Sequence, residues 1–187
     1  MRTIISIANL NTKSVIELKP AQFSDHPAIA NIHAQSWQNN YRNILSDLFL
    51  DKEVEKERLV FWHNRFLSSP ATQQVTLATT NQNIVGFSCL YLDYDPHYGT
   101  LLDNLHVIQG FQNYGIGKLL IQNCAGTILK KAKTPKMHLL VYEANVNARK
   151  VYEHLGASHV YTVKKITEDK TEARVCQYLW DDVSSLI

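Results

Sequence analysis

The chain is poor in the residues that mark metal, membrane and nucleic-acid proteins. Its three cysteines, Cys89, Cys124 and Cys176, are odd in number and far apart. They form no disulfide framework, and each sits in an apolar segment where a reduced, buried thiol is expected. No CxxC or HxxxH pair occurs, which leaves no ligand set for a structural metal. No stretch approaches the ~20 apolar residues of a membrane-spanning helix. The apolar run after Arg2 is too short for the core of a secretory signal and is followed by Asn9, Asn11 and Thr12, so a cytoplasmic protein is expected. A formal net charge of +2 gives no reason to expect nucleic acid or an anionic membrane as partner.

With 45% hydrophobic residues over 187 positions, the chain can bury a full core without disulfides or metal. Residues 1–13 read as an N-terminal extension and 14–187 as one domain, with no repeat, linker or low-complexity tract. Seven glycines are few, and three of them, Gly110, Gly115 and Gly117, fall together. Leu101, Leu102, Leu105 and Val107 suit a buried strand. Gly110 then breaks the run, and Gln112-Asn113-Tyr114-Gly115-Ile116-Gly117 turns into a helical pattern over 118–131. Such a turn aims unpaired backbone N–H groups and the positive end of a helix dipole at one point, which favours an anion.

Spacing narrows the choice of anion. A nucleotide P-loop needs GxxxxGK[ST], but Leu119 follows Lys118, so the hydroxyl for magnesium is missing. A dinucleotide fingerprint needs a third small residue where Leu120 stands, early in the chain rather than past its middle. What remains is Gln112-x-x-Gly115-x-Gly117, either a pyrophosphate cradle or simply a tight strand-to-helix turn.

Elsewhere the chain alternates elements in a regular way. Val15, Ile16 and Leu18 mark a first strand to Pro20. Ser24-Asp25-His26-Pro27 starts a helix to about Asn39, with Ile29, Ile32, His33 and Trp37 as its apolar stripe. After a break, Ser46 begins helical sequence that continues to Ser68 with Val54, Leu59, Phe61, Trp62 and Phe66. Residues 73–80 and 84–93 form a hairpin about Asn81-Gln82-Asn83. A loop over 93–99, rich in ionisable residues, leads to the central strand. Residues 136–142 give a further strand, 145–155 a short helix stopped by Gly156, and 159–167 with 171–180 a closing hairpin. The order β-α-α-β-β-β-α-β-α-β-β implies an α+β layered domain.

A second motif lies over Asn145-Val146-Asn147-Ala148-Arg149-Lys150-Val151-Tyr152-Glu153-His154-Leu155-Gly156. Asn145 is a good helix cap, and Ala148, Tyr152 and Leu155 share a face. Taken with Gln112-x-x-Gly115-x-Gly117, it resembles the paired motifs of the GCN5-related N-acetyltransferase (GNAT) superfamily, N-x-x-A-x-x-[FV]-Y-E-x-x-G following Q/R-x-x-G-x-G/A. The resemblance runs from about Ser14 to Trp180 and extends to the segment from Ile29 to Asp47 and to Asp103-Asn104-Leu105-His106-Val107. Lys19, Gln112 and Ala157 stand where arginine, arginine and phenylalanine are commoner.

This resemblance implies a mixed, mostly antiparallel central sheet with two splayed parallel strands and helices on both faces. It implies acetyl-CoA as cosubstrate, no metal, and a primary amine of a small molecule, peptide or protein as acceptor. A non-catalytic acyl-CoA-binding or sensory domain is the alternative. Pantetheine would lie between the splayed strands, beside Leu105, His106 and Val107 and near Asn145. A bulge would free the Val107 N–H to polarise the acetyl carbonyl. Pyrophosphate would rest on Gln112, Asn113, Tyr114, Gly115, Ile116 and Gly117, with Lys118 adding charge. Tyr152 is the expected acid for the departing thiolate. Asp103 is preferred over His106 as base, strand alternation setting Asp103, Leu105 and Val107 on one face and Asn104 with His106 on the other. Trp37, Tyr41 and the loop carrying Asp93 and Asp95 would wall an acceptor pocket suited to a cation. The final hairpin offers an edge through which a homodimer could form.

Overall fold

The computed structural model describes residues 4–7 and 14–187. Its strands are β1 (Ile4–Ile7), β2 (Ser14–Pro20), β3 (Gln73–Thr80), β4 (Asn83–Asp95), β5 (Gly99–Val107), β6 (Met137–Tyr142), β7 (Ser158–Ile166) and β8 (Glu172–Trp180). Helices α1 (His26–Asn40), α2 (Asp47–Lys52) and α3 (Val54–Leu67) lie between β2 and β3, α4 (Ile116–Lys131) follows β5, and α5 (Val146–His154) follows β6. The strands make one sheet in the order β1-β2-β3-β4-β5-β6-β8-β7. Every neighbouring pair is antiparallel except β5 with β6. Part of the expected N-terminal extension thus adds an edge strand, β1, to β2; residues 1–3 and 8–13 lie outside the described residues.

Local chemistry explains the element ends. Asn81 and Gln82 both take positive φ, 47° and 66°, as a tight hairpin turn between β3 and β4 requires. The Ser46 hydroxyl accepts from the Phe49 amide to cap α2, and the Asn145 side chain accepts from the Ala148 amide at 3.2 Å to cap α5. The expected 93–99 loop is mostly strand. Asp95 pairs with Gly99, where φ is +77° and a Cβ would come within 2.7 Å of the Lys136 carbonyl, so only glycine fits.

Helices cover both faces of the sheet. On one, α4 and α5 pack on Leu90, Leu102, Leu139, Val141 and Tyr178, and α4 also on Ile16, Leu18 and Val85. On the other, α1 and α3 bury Ile29, Ile32 and Trp62 against Val75, Leu77, Phe87 and Cys89. No helix among the described residues is long and apolar enough to cross a membrane.

The parallel pair opens the middle of the sheet. Strands β5 and β6 are in register only at Thr100 with Met137 and Leu101 with His138, and beyond these they part. Just past the last rung, β5 carries a bulge. Leu90 faces Leu102 and Cys89 faces Asn104, leaving Asp103 as the extra residue. The bulge therefore sits at Asp103, not at Val107 as the sequence suggested. Val107 stays in register opposite Gly86.

Candidate active site

The diverging strands enclose a crevice of about 650 Å³. Leu102–Val107 line one side and Leu139–Val141 the other, with Asn145, Ala148 and Tyr152 of the α5 segment beside them. The Ile108 amide donates to the Val85 carbonyl at 3.0 Å. In an antiparallel ladder alternate residues turn their amides to the same side, so those of Leu105 and Val107 face away from β4 into the crevice. The Val107 N–H is thus available through ladder alternation, without a bulge of its own. Its carbonyl accepts from Gln112 Nε2 at 3.2 Å, which ties the following loop to the crevice rim.

That loop closes one end. The Phe111 amide bonds Ile108 and the Leu119 amide bonds Gly115, but none from Gln112 to Lys118 has a protein acceptor among the described residues. Gly115 caps α4 with φ +80°, and Asn113 is also left-handed at 65°. Gln112, Asn113 and Gly117 line the crevice. Tyr114, Gly115, Ile116 and Lys118 instead line a separate depression with Ile16 and Gln122, and the Ile116 side chain is core. A Cβ on Gly117 would meet nothing within 4 Å.

Tyr152 reaches the crevice from the α4 side of the sheet, its ring 6.0 Å from that of Trp180. Burial, then the nearby Tyr41, pushes its phenol well above the ordinary range. The hydroxyl stays protonated across physiological pH.

On the opposite face a chamber of about 310 Å³ opens under α1 and α3, walled by Trp37, Tyr41, Phe61, His106, Leu140 and Tyr142 among others. Tyr41, Asp103, Asn104, His106, Leu140 and Val141 line both cavities, so chamber and crevice meet there. Burial pushes the Tyr41 phenol up to about 12, the Asn145 side chain opposing. The β5 bulge turns Asp103 to this face beside Asn104 and His106, a correction to simple alternation. There its carboxylate accepts from Arg65 and from the Asn104 amide.

Two imidazoles in close contact back the chamber. His33 and His106 have ring centroids 4.4 Å apart. The Trp62 indole donates to His33 Nδ1 at 3.0 Å, and His106 Nδ1 lies 2.8 Å from Ser36 Oγ. Burial, then the charge of Arg58, pushes His106 down to about 3. His33 is lowered by burial, then by His106, Arg58 and Arg65. Both rings are neutral at physiological pH, and so weak a base as His106 gains little from its place at the junction.

Asp93 and Asp95 are not brought to either cavity. They sit at the end of β4, far from the crevice, where Asp93 accepts from the Lys133 amide at 2.9 Å and Asp95 from the turn amides of His97 and Tyr98 at 2.7 and 2.9 Å. Both carboxylates thus have backbone partners.

Residues 28–157 match the acetyltransferase (GNAT) family, well over half of the chain. The chain belongs to the GNAT family. Solved structures share the fold across nearly their whole length. The PaiA N-acetyltransferase of Thermoplasma acidophilum, in complex with coenzyme A, gives a TM-score of 0.68 at 17% identity, covering 87% of this chain and 97% of its own. An N-acetyltransferase of Staphylococcus aureus Mu50 gives 0.65 at 14%, covering 90% and 98%. The yncA protein of Salmonella typhimurium, with its cofactor acetyl-CoA, gives 0.62 at 15%, covering 88% and 92%. No curated protein matches by sequence.

For this GNAT chain, sequence reading missed Arg58, Arg65, Phe61 and Asn104. A signal was present: Arg58, Phe61, Trp62 and Arg65 are spaced i, i+3, i+4 and i+7, so both arginines share the apolar stripe of α3. Cations on a buried stripe are rare without a partner. The hairpin joining β7 and β8 was also missed as a wall. Glu168 accepts from the Tyr142 hydroxyl at 3.0 Å, and Asp169 accepts from the Ser46 amide at 2.6 Å.

Proposed function

We propose that the protein transfers an acetyl group from acetyl-CoA to a primary amine, by direct attack within a ternary complex. What carries this is a single crevice lined at one end by the loop whose amides lack acceptors and at the other by the Tyr152 phenol. The chain's residues fit the cosubstrate. Unpaired amides from Gln112 to Lys118 and the α4 N-terminus suit a pyrophosphate, and the free strand edges of β5 and β6 suit an amide-bearing arm. When bound, acetyl-CoA supplies an activated thioester.

The Val107 N–H donates to the carbonyl oxygen as negative charge develops on it. Tyr152 donates its proton to the sulfur as the C–S bond breaks. Asp103, at the junction of the cavities, accepts through water the proton that the amine nitrogen loses as the C–N bond forms. The Asn145 side chain keeps α5, and so Tyr152, in place. Trp37 and Tyr41 wall the acceptor side.

Release of free thiol from acetyl-CoA across a panel of amines tests this. Amine-dependent release with formation of an N-acetyl product is expected. Tight binding of acetyl-CoA without turnover on any amine would instead assign a non-catalytic acyl-CoA-binding domain.

A further inference from the structure

The acceptor chamber contains a cation with unused donors. Arg58 is only 3% exposed, yet its guanidinium forms part of the chamber wall. It lies on the Trp37 and Phe61 rings, 4.3 and 4.1 Å from their centroids, which fixes its plane. Glu57 takes one forked edge, Nε with Nη2. Nη1 has no acceptor among the described residues, so the second edge, Nη1 with the other Nη2 hydrogen, is uncommitted. A buried guanidinium edge wants a planar oxyanion, which it can hold through paired, charge-assisted hydrogen bonds.

We propose that the amine acceptor also carries an oxyanion, a carboxylate or phosphate, that docks on this open edge of Arg58. This deepens the transferase reading and rests on it. Of the chamber's carboxylates, Asp103 is paired with Arg65 and Glu168 accepts from the neutral Tyr142 hydroxyl. The charged residues lining the chamber are three cations, Arg58, Arg65 and Lys165, and two carboxylates, Asp103 and Glu168, a balance that disfavours the second ammonium of a polyamine. An amino acid, or an amine bearing a phosphate, balances the charge.

The test is equilibrium binding to the CoA-loaded protein of matched pairs: amino acids against their carboxamides, and phosphoethanolamine against ethanolamine. At least one anionic member is expected to bind about tenfold or more tightly than its neutral partner. The pair showing the preference separates carboxylate from phosphate. In Arg58→Gln the preference should collapse, with CoA affinity reporting that the fold is kept. Equal affinity within every pair, preference for diamines, no binding by any anionic amine, or discrimination that survives Arg58→Gln would each overturn the proposal. The wild-type comparison decides even if the variant fails to fold. A charge preference in binding without thiol release would keep this inference and remove catalysis.

Discussion

Arg65 holds the carboxylate of Asp103, the residue that the β5 bulge turns out of the strand's alternation. Without the bulge, Asp103 would share a face with Leu105 and Val107, against α4. With it, the carboxylate stands where the chamber under α1 and α3 meets the crevice.

Asp103→Asn keeps the shape and removes the proton acceptor. A fall in kcat/KM of about 10²–10⁴ is expected, with little change in CoA affinity. Near-normal turnover would take Asp103 out of the proton path.

Tyr152→Phe should lower kcat by roughly 10²–10⁴ and leave acetyl-CoA binding intact, since the ring still packs beside Trp180. Steady-state kinetics with parallel calorimetry separate the two effects. An unchanged kcat would mean that the sulfur takes its proton elsewhere.

The loop glycines should respond differently. Gly115→Val forces a β-branched residue to φ +80°, a strain of about 1–3 kcal/mol, so both Tm and CoA affinity should fall. Gly117→Ala meets no protein atom and should hold or raise Tm, alanine being the better helix former by about 1 kcal/mol. Its methyl enters the crevice, and CoA affinity should drop about tenfold or more. Wild-type affinity in Gly117→Ala would place the phosphates elsewhere.

Acid should weaken the fold through the buried imidazoles. In the unfolded chain His33 and His106 take up protons near pH 6.5, whereas folded His106 resists to about 3 and folded His33 is also well lowered. The unfolded state therefore binds more protons below 6.5. Stability is fully present above that pH and falls as pH drops through it, by at most about 1.4 kcal/mol per pH unit for each ring. Urea unfolding at pH 7, 6 and 5 should show the decline, and His33→Asn should flatten it. A flat profile in the wild type would show that the rings titrate normally.

Much of the architecture was legible because it depends on local patterns. Alternation located the strands, Asn81-Gln82 the hairpin turn, Asn145 the α5 cap and the glycine pair the loop before α4. The chamber under α1 and α3 was not legible in the same way. Asp93 and Asp95 looked like free carboxylates, but the turn after β4 gives Asp95 its amide donors, and the Lys133 amide beyond α4 serves Asp93. Placing Asp103 required the bulge, a matter of pairing between β4 and β5 that neither strand shows alone. Glu168 reaches the chamber, and Asp169 the cap of α2, because β8 inserts between β6 and β7 and brings a distant turn over α2.

Parting after Leu101 and His138 leaves the sheet as two leaves, β1–β5 and β6–β8, sharing a spine of two rungs. Each leaf presents a bare margin inside the molecule, facing the other across the crevice. A bound arm bridging the margins would act as a bookbinder's stitch. Amide exchange across β6 and β8 should then slow far more with ligand than contacts at the crevice mouth alone would produce, because opening one leaf would now mean tearing the seam.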